Sequence, residues 1–295
     1  MAGKVLIVGV DSLIGGALAG LLVRQGRAVV GTTRQNAERS PNTLYLDLSA
    51  DMTQWRPPEG IDVAILTAAM NQQQCLEQPD LSRRVNVVNT LAIACRLMAD
   101  GIPVVFPSTN LVFDCLSPNQ PADMPYRPMS LYAAQKAEVE QALMQNGGLV
   151  SVCRLAKIIT GKLPPVSRWL SDLAANRPVT AFTDLNVSPV SLAYTAAFLL
   201  RVLDSDRGGV FQLTGAQELS YCDLARALAN VCGREASLVR CCRSVDAGVI
   251  LQAAPSHPSL DASRVKDAFG IAPQPLSELL RDLTGSIEST YAAAL

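Results

Sequence analysis

The stretch KVLIVGVDSLIGGALAGLLVRQG, Lys4–Gly26, decides how the chain is read. Its apolar run Val5–Val8 stops at Gly9, and a helical pattern follows from Ile14. A strand that enters a helix through a glycine turn aims backbone N–H groups and the positive helix end at an anion, such as a dinucleotide pyrophosphate. Gly9 permits the tight turn, and Gly15 and Gly16 let helix and cofactor approach closely. Ser12 stands where a middle glycine would be expected, and its hydroxyl can bond a phosphate or cap the helix. Taken alone, the fragment also fits a turn built for packing.

The rest of the first half repeats the pattern. Ala28–Gly31, Thr43–Leu46, Val63–Thr67, Val104–Pro107 and Leu149–Arg154 read as buried parallel strands. Ile14–Gln25, Leu81–Ala99 and Leu131–Gln145 have the apolar spacing of helices. Such βα units predict an α/β fold with a doubly wound parallel sheet covered on both faces. The rhythm then changes. GKLPPVSRW (161–169) reads as a loop, Val190–Leu203 as a helix, GGVFQLTG as a short strand and Tyr221–Cys232 as a helix. The tail LDASRVKDAFGIAPQPLSELLRDL reads as a short helix, a Pro-rich turn and a final helix. The expected division is a dinucleotide-binding domain over 1–160 and a smaller, partly interleaved substrate lobe over 161–295. Residues from about 187 to 214 are expected to return to the main sheet.

Composition excludes several classes. Of 295 residues, 49% are hydrophobic and 17% charged, with a net charge of -1, so nothing global attracts nucleic acid or an anionic membrane. No apolar run reaches the roughly 20 residues of a membrane span, and the strand-like start leaves no room for a signal peptide. A cytoplasmic protein is the expectation. The eight cysteines show no C-x-x-C pairing and read as reduced core thiols, with Cys241-Cys242 as a less favoured redox or metal feature. One histidine, His257, leaves no basis for a His-built zinc site or triad, and no metal is expected.

Candidate chemistry follows the strand ends. The second strand closes on Thr32, Thr33 and Arg34 with no acid for a ribose diol. Arg34 can pair with a 2′-phosphate, which favours NADP(H) over NAD(H), or it is a solvated surface arginine. Asp47 can accept from an adenine amino group or cap its own turn. SLYAAQKAEVEQALM places Tyr132 and Lys136 four apart, hence on one helix face. An ammonium beside a phenol is expected to lower the phenol's pKa, preparing it to exchange a proton with a carbonyl oxygen. Upstream, PVVFPSTN brings the hydroxyls of Ser108 and Thr109 to a strand's carboxyl end, where substrate oxygens are bound.

This ordered set of glycine turn, strand-end Ser/Thr and Tyr-x-x-x-Lys resembles the short-chain dehydrogenase/reductase superfamily. The length and second lobe resemble its extended branch of sugar-nucleotide epimerases, dehydratases and reductases. TAAMNQQQCLEQPDLSRRVNVVNTLAIA, PSTNLVFDC, SPVSLAYTAAFLL, GGVFQLTG and LDASRVKDAFGI are similar to segments of dTDP-4-dehydrorhamnose reductases and their relatives, and together span nearly the whole chain. The resemblance implies a Rossmann-type domain. It implies that Tyr132 is the acid/base, that Lys136 binds the nicotinamide ribose and tunes the tyrosine, and that Thr109, with Ser108 beside it, polarises the carbonyl. It further implies that Gly9, Ser12, Leu13, Ile14 and Gly15 line the pyrophosphate. Thr33, Arg34, Asp47 and Leu48 would take the adenosine half, and Thr67, Ala68, Ala69, Asn86 and Leu155 the rest of the cofactor. Met70, Asn110, Lys157, Arg168 and Trp169 are the substrate-side candidates, with a basic residue for a diphosphate and an indole for stacking.

Departures from the family pattern cluster around the substrate. Asn110, Leu111 and Cys115 replace the usual Asp, Tyr and Gly of S-T-D-Y-V-F-D-G, and Ala133 and Gln135 replace the Gly and Ser of Y-G-x-S-K. Asn110-Leu111 lacks the Asp-Glu pair of a dehydratase. The expected function is therefore NADP(H)-dependent reduction of a keto group on a nucleotide-activated deoxysugar. A C4 epimerase, a reductase of a non-sugar carbonyl, and a silent NADP-binding regulatory subunit, like the beta subunit of methionine adenosyltransferase, stay open. The partner is a small molecule, neither nucleic acid nor membrane, and a homodimer is left open.

Overall fold

In the computed structural model, which describes residues 3–35, 41–145, 150–250 and 254–291, seven strands form the central sheet. They are β1 Val5–Val8, β2 Val29–Thr33, β3 Thr43–Tyr45, β4 Val63–Leu66, β5 Val104–Thr109, β6 Val150–Leu155 and β7 Gly209–Leu213. Their order is β7-β6-β5-β4-β1-β2-β3, and the pairings from β3 across to β6 are parallel. Parallel strands covered on both faces need unbroken apolar runs, and β1, β4, β5 and β6 are buried along their whole length. Leu149, the expected first residue of the sixth strand, lies outside the described residues.

The chain divides into two compact units. The first comprises Met1–Phe113, Pro125–Leu155 and Thr195–Phe211, and the second Asp114–Met124, Ala156–Tyr194 and Gln212–Leu295. The first carries helices α1 Leu13–Arg24, α2 Gln72–Glu77, α3 Pro79–Arg83, α4 Thr90–Ala99 and α5 Leu131–Gln145. Its core joins Leu6, Val8, Leu66, Ile93, Leu97, Phe106, Val139 and Val152.

The expected single helix over Leu81–Ala99 is interrupted. Between α3 and α4, Arg84–Asn89 form a π-helical stretch. The widened turn buries two asparagines three residues apart and gives each a backbone target. Asn86 Oδ1 accepts from Met70 N at 2.8 Å, and Asn89 Nδ2 donates to Leu48 O and Ala50 O at 2.7 and 2.8 Å. Both loops that follow sheet strands are thereby pinned to one helix.

The second unit holds α6 Val166–Ala174, α8 Tyr221–Val231, α9 Ser263–Phe269 and α10 Leu276–Tyr291; α7, Leu192–Leu203, begins in it and continues into the first unit. Two expectations need correction here. Residues from Val166 onward are helix rather than loop, because Val166, Trp169, Leu170 and Leu173 recur at helical spacing and bury together. Val190–Ser191, expected as the start of a helix, pair as a short parallel strand with Ile158–Ile159 before α7 begins. The expectation of reduced cysteines also fails at one place: Cys222 on α8 and Cys241 form a disulfide with Cα atoms 5.5 Å apart. Among the described residues no helix is long and apolar enough to cross a membrane.

Replacing Asn89 by Ala strands the buried Leu48 carbonyl. The expected cost is about 1–3 kcal/mol in urea unfolding, and an unchanged midpoint would show that the loop does not depend on this side chain.

Candidate active site

The turn after β1 is shaped by two glycines. Gly9 has φ +90, and a Cβ there would collide with the Ala68 backbone. A Cβ on Gly15 would strike the carbonyl of Gly9 and the hydroxyls of Ser12 and Thr67. Ser12 is the N-cap of α1, its Oγ accepting from Gly15 N at 3.0 Å. Thr67 Oγ1 donates to the carbonyls of Val8 and Gly9 at 2.9 and 2.8 Å, and Gly9 N donates to Thr32 Oγ1 at 3.1 Å. The turn is thereby packed tightly, with Gly9 and the N-cap Ser12 at the end of α1 where the helix dipole favours an anion such as a pyrophosphate.

A cleft of about 190 Å³ opens on this turn. Of the residues expected to hold a dinucleotide, Gly9, Ser12, Thr33, Arg34, Asp47, Leu48, Ala68 and Ala69 line it, together with Met70. Leu13, Ile14, Gly15, Thr67, Asn86 and Leu155 do not line it. Gly15 and Thr67 shape the turn, and Asn86 is committed to Met70, Cys75 and Gln135. Arg34 is exposed at the rim. Asp47 Oδ1 accepts from Ser49 N at 2.8 Å, so one oxygen caps the turn and the other is left to the cleft. Sequence reasoning passed over Asp11. Its carboxylate, held by Thr33 Oγ1 at 3.1 Å and Gln35 Nε2 at 3.4 Å, lines the same cleft.

Helix α5 carries the second half of the site. Lys136 is 5% exposed, and its Nζ donates to Pro107 O at 2.9 Å while lying 4.4 Å over the Phe106 ring and 5.8 Å from the Tyr132 ring centroid. Burial pulls the ammonium down to about 8, against the opposing pull of Glu140 and Cys75. Tyr132 moves the other way from the expectation. Burial, then Cys75, pushes its phenol up to about 12. With the protein alone, Tyr132 is a protonated acid at neutral pH.

At the end of β5 the two hydroxyls differ. Ser108 Oγ is buried and has no hydrogen-bond partner among the described residues, whereas Thr109 Oγ1 accepts from Leu111 N at 3.2 Å and contacts Asn110 Oδ1 at 3.4 Å. Gln135 fills the position where relatives carry serine. Its Nε2 donates to Ser82 Oγ at 2.8 Å, and its Oε1 accepts from Asn86 at 2.8 Å and from the Cys75 thiol at 3.4 Å.

The remaining substrate-side candidates scatter. Met70 and Asn110 are buried in the first unit. In the second unit Lys157 and Arg168 are exposed, and Arg168 lies 3.7 Å from Asp172. Trp169 is a core residue. Its indole is 4% exposed, meets Tyr221 edge-on at 5.7 Å and donates from Nε1 to Thr180 O at 3.1 Å. Its faces are occupied by protein, so it is not free to stack on a base.

A buried hydroxyl without a partner costs about 1–3 kcal/mol. Ser108→Ala is therefore expected to raise the unfolding free energy by about 1 kcal/mol in urea denaturation; a loss of stability would mean that the hydroxyl is satisfied in the folded protein.

Comparison with known proteins agrees with this geometry. The RmlD substrate binding domain family model matches residues 3–288. A probable low-salt glycan biosynthesis reductase, Agl14 of Haloferax volcanii, is 26% identical over 97% of both chains. The dTDP-4-dehydrorhamnose reductase of Bacillus anthracis, solved in complex with NADP, superposes with TM-score 0.81 at 17% identity, over 97% of this chain and 100% of that one. MoeE5, solved with UDP-glucose and NAD, superposes with TM-score 0.77 at 18% identity, over 98% of this chain and 100% of that one. With nearly its whole length matched by the family model, the chain belongs to the RmlD substrate binding domain family, an oxidoreductase family of the extended short-chain dehydrogenase/reductase type.

Proposed function

We propose that this protein reduces a keto group on a nucleotide-activated deoxysugar with a nicotinamide dinucleotide, NADP(H) in preference to NAD(H), and that Tyr132 donates the proton. The observation that carries the reading is the buried Ser108 hydroxyl, without a hydrogen-bond partner among the described residues, at the end of β5, the strand on whose Pro107 carbonyl Lys136 is anchored, one helical turn from Tyr132. Family membership and the reductase activity named for the Haloferax relative support it.

The bound cofactor supplies a hydride to the carbonyl carbon. Everything else falls to the chain. The turn that lines the cleft from Gly9 to Ser12, at the N-terminal end of α1, binds the pyrophosphate. The Lys136 ammonium spends one hydrogen on Pro107 O and keeps two for the ribose hydroxyls. Ser108 and Thr109 offer hydroxyls to the keto oxygen. Tyr132, protonated at neutral pH, then gives its proton to that oxygen. At the rim, Arg34 favours a 2′-phosphate, while Asp11 favours a bare ribose hydroxyl and tempers the preference.

The test is NADPH oxidation with nucleotide-linked 4-keto-6-deoxysugars, alongside cofactor binding by fluorescence. Tyr132→Phe is expected to lower kcat by about 10²–10⁴-fold with NADPH affinity kept. Arg34→Ala is expected to weaken NADPH by about fivefold and leave NADH unchanged, the modest effect fitting an exposed charge. Wild-type protein that binds NADPH yet reduces no such substrate would contradict the reading.

A further inference from the structure

The face of α5 that carries Tyr132 and Lys136 continues one more turn to Glu140, which the proposed reaction does not use. Glu140 is 0% exposed and Arg154, on β6, is 1% exposed. Arg154 Nε and Nη2 reach Glu140 Oε2 at 2.9 and 2.8 Å, and the Tyr126 hydroxyl donates to the same oxygen at 3.0 Å. Arg154 Nη2 also donates to the Tyr126 hydroxyl at 3.0 Å, and its guanidinium lies 4.8 Å over the Phe113 ring and 5.2 Å over the Tyr126 ring. Every one of these bonds to the carboxylate falls on Oε2. Its Oε1 is buried with no hydrogen-bond partner among the described residues.

A buried ion pair adds little net stability, because the desolvation of both ions offsets their attraction. A reason other than stability is supplied one turn away. The Lys136 ammonium is buried as well, and its hydrogen-bond partner is the neutral carbonyl of Pro107. The groups around it are Tyr132 and Glu140 on its own helix and Cys75 on α2, and of these Glu140 is the carboxylate. Around Glu140 in turn stand Arg154 and Cys153 on β6 and Tyr126 before α5. Lys136, Glu140 and Arg154 together carry one net positive charge, and the Lys136 ammonium lies 5.8 Å from the ring of the tyrosine that becomes anionic when it gives up its proton.

We propose that Glu140, oriented by Arg154 and Tyr126, is a positioning residue whose buried charge keeps Lys136 cationic and seated on Pro107 O. The inference rests on the reductase reading, since it requires Lys136 to hold the cofactor and Tyr132 to deliver a proton.

The experiment follows NADPH binding and kcat from about pH 7 to about pH 10 in wild type, Glu140→Gln and Glu140→Asp. Removing the carboxylate lowers the pH at which Lys136 gives up its proton. In Glu140→Gln the alkaline loss of both NADPH affinity and kcat is therefore expected about one pH unit lower than in wild type. At about pH 8 its kcat is expected to be down about fivefold. Glu140→Asp, which restores the charge, recovers most of the displacement. Should Glu140→Gln not fold, Tyr126→Phe takes its place, with a smaller displacement in the same direction. A variant that folds less stably but loses affinity and kcat at the wild-type pH would overturn the inference and leave the reductase reading intact. Wild-type protein that binds neither NADPH nor NADH at any pH would overturn both.

Discussion

A cation buried at the carboxyl edge of a parallel sheet is the constraint around which the first unit is arranged. Lys136, on α5, reaches Pro107 O on β5, and its helix neighbours Ala133 and Ala137 are buried beside it. Proline at 107 has no amide hydrogen, but its carbonyl remains an acceptor and is spent on the lysine. Strand β5 is buried throughout, so the polar residues at its end, Ser108 and Thr109, are carried into an interior where each needs a partner. Thr109 finds one in the turn that follows; Ser108 finds none among the described residues.

The other side of the site is organised by space rather than by charge. The approach of β1, α1 and the loop after β4 is close enough that a methyl group on Gly9 or Gly15 would collide with backbone. Ser12 does not break this arrangement. Its hydroxyl caps α1 through Gly15 N, which spares the turn a third glycine and fixes the helix end that faces the cleft. The loop after β4 is held by Asn86 and the one after β3 by Asn89, both from the π-helical stretch, so the walls of the cleft share one support.

Features with a local cause were legible in the sequence. Val5–Val8 had to be a doubly buried strand, Gly9 had to turn, and Tyr132 and Lys136 had to share a helix face. Features fixed by distant partners were not. Nothing near Arg84–Asn89 announces a π-helix, because its cause is the position of the backbone at Met70, Leu48 and Ala50. Cys222 and Cys241 meet across a separation of 19 residues, while the adjacent Cys241 and Cys242 drew the eye instead. Trp169 looked like a stacking residue in a loop, although the spacing Val166, Trp169, Leu170, Leu173 already described a buried helix face. Asp11 was hidden by its neighbours, since a glycine turn directs attention to the residues that permit it. Glu140, eight residues after Tyr132, stood on the same helix face, but only the fold supplies Arg154 and Tyr126 to give its burial a meaning. The expected lowering of the tyrosine is reversed by burial, a property of the folded surroundings that the helix spacing of Tyr132 and Lys136 does not carry.

The central claim is that a nicotinamide hydride reaches a carbonyl carbon at this site and that the chain itself supplies the proton. It is tested most directly by turnover of a nucleotide-linked 4-keto sugar with NADPH deuterated at the transferring position of C4, followed by mass spectrometry of the product sugar. The account predicts a single deuterium retained on the former carbonyl carbon. Product formed without deuterium, or cofactor bound with no product at all, would contradict it.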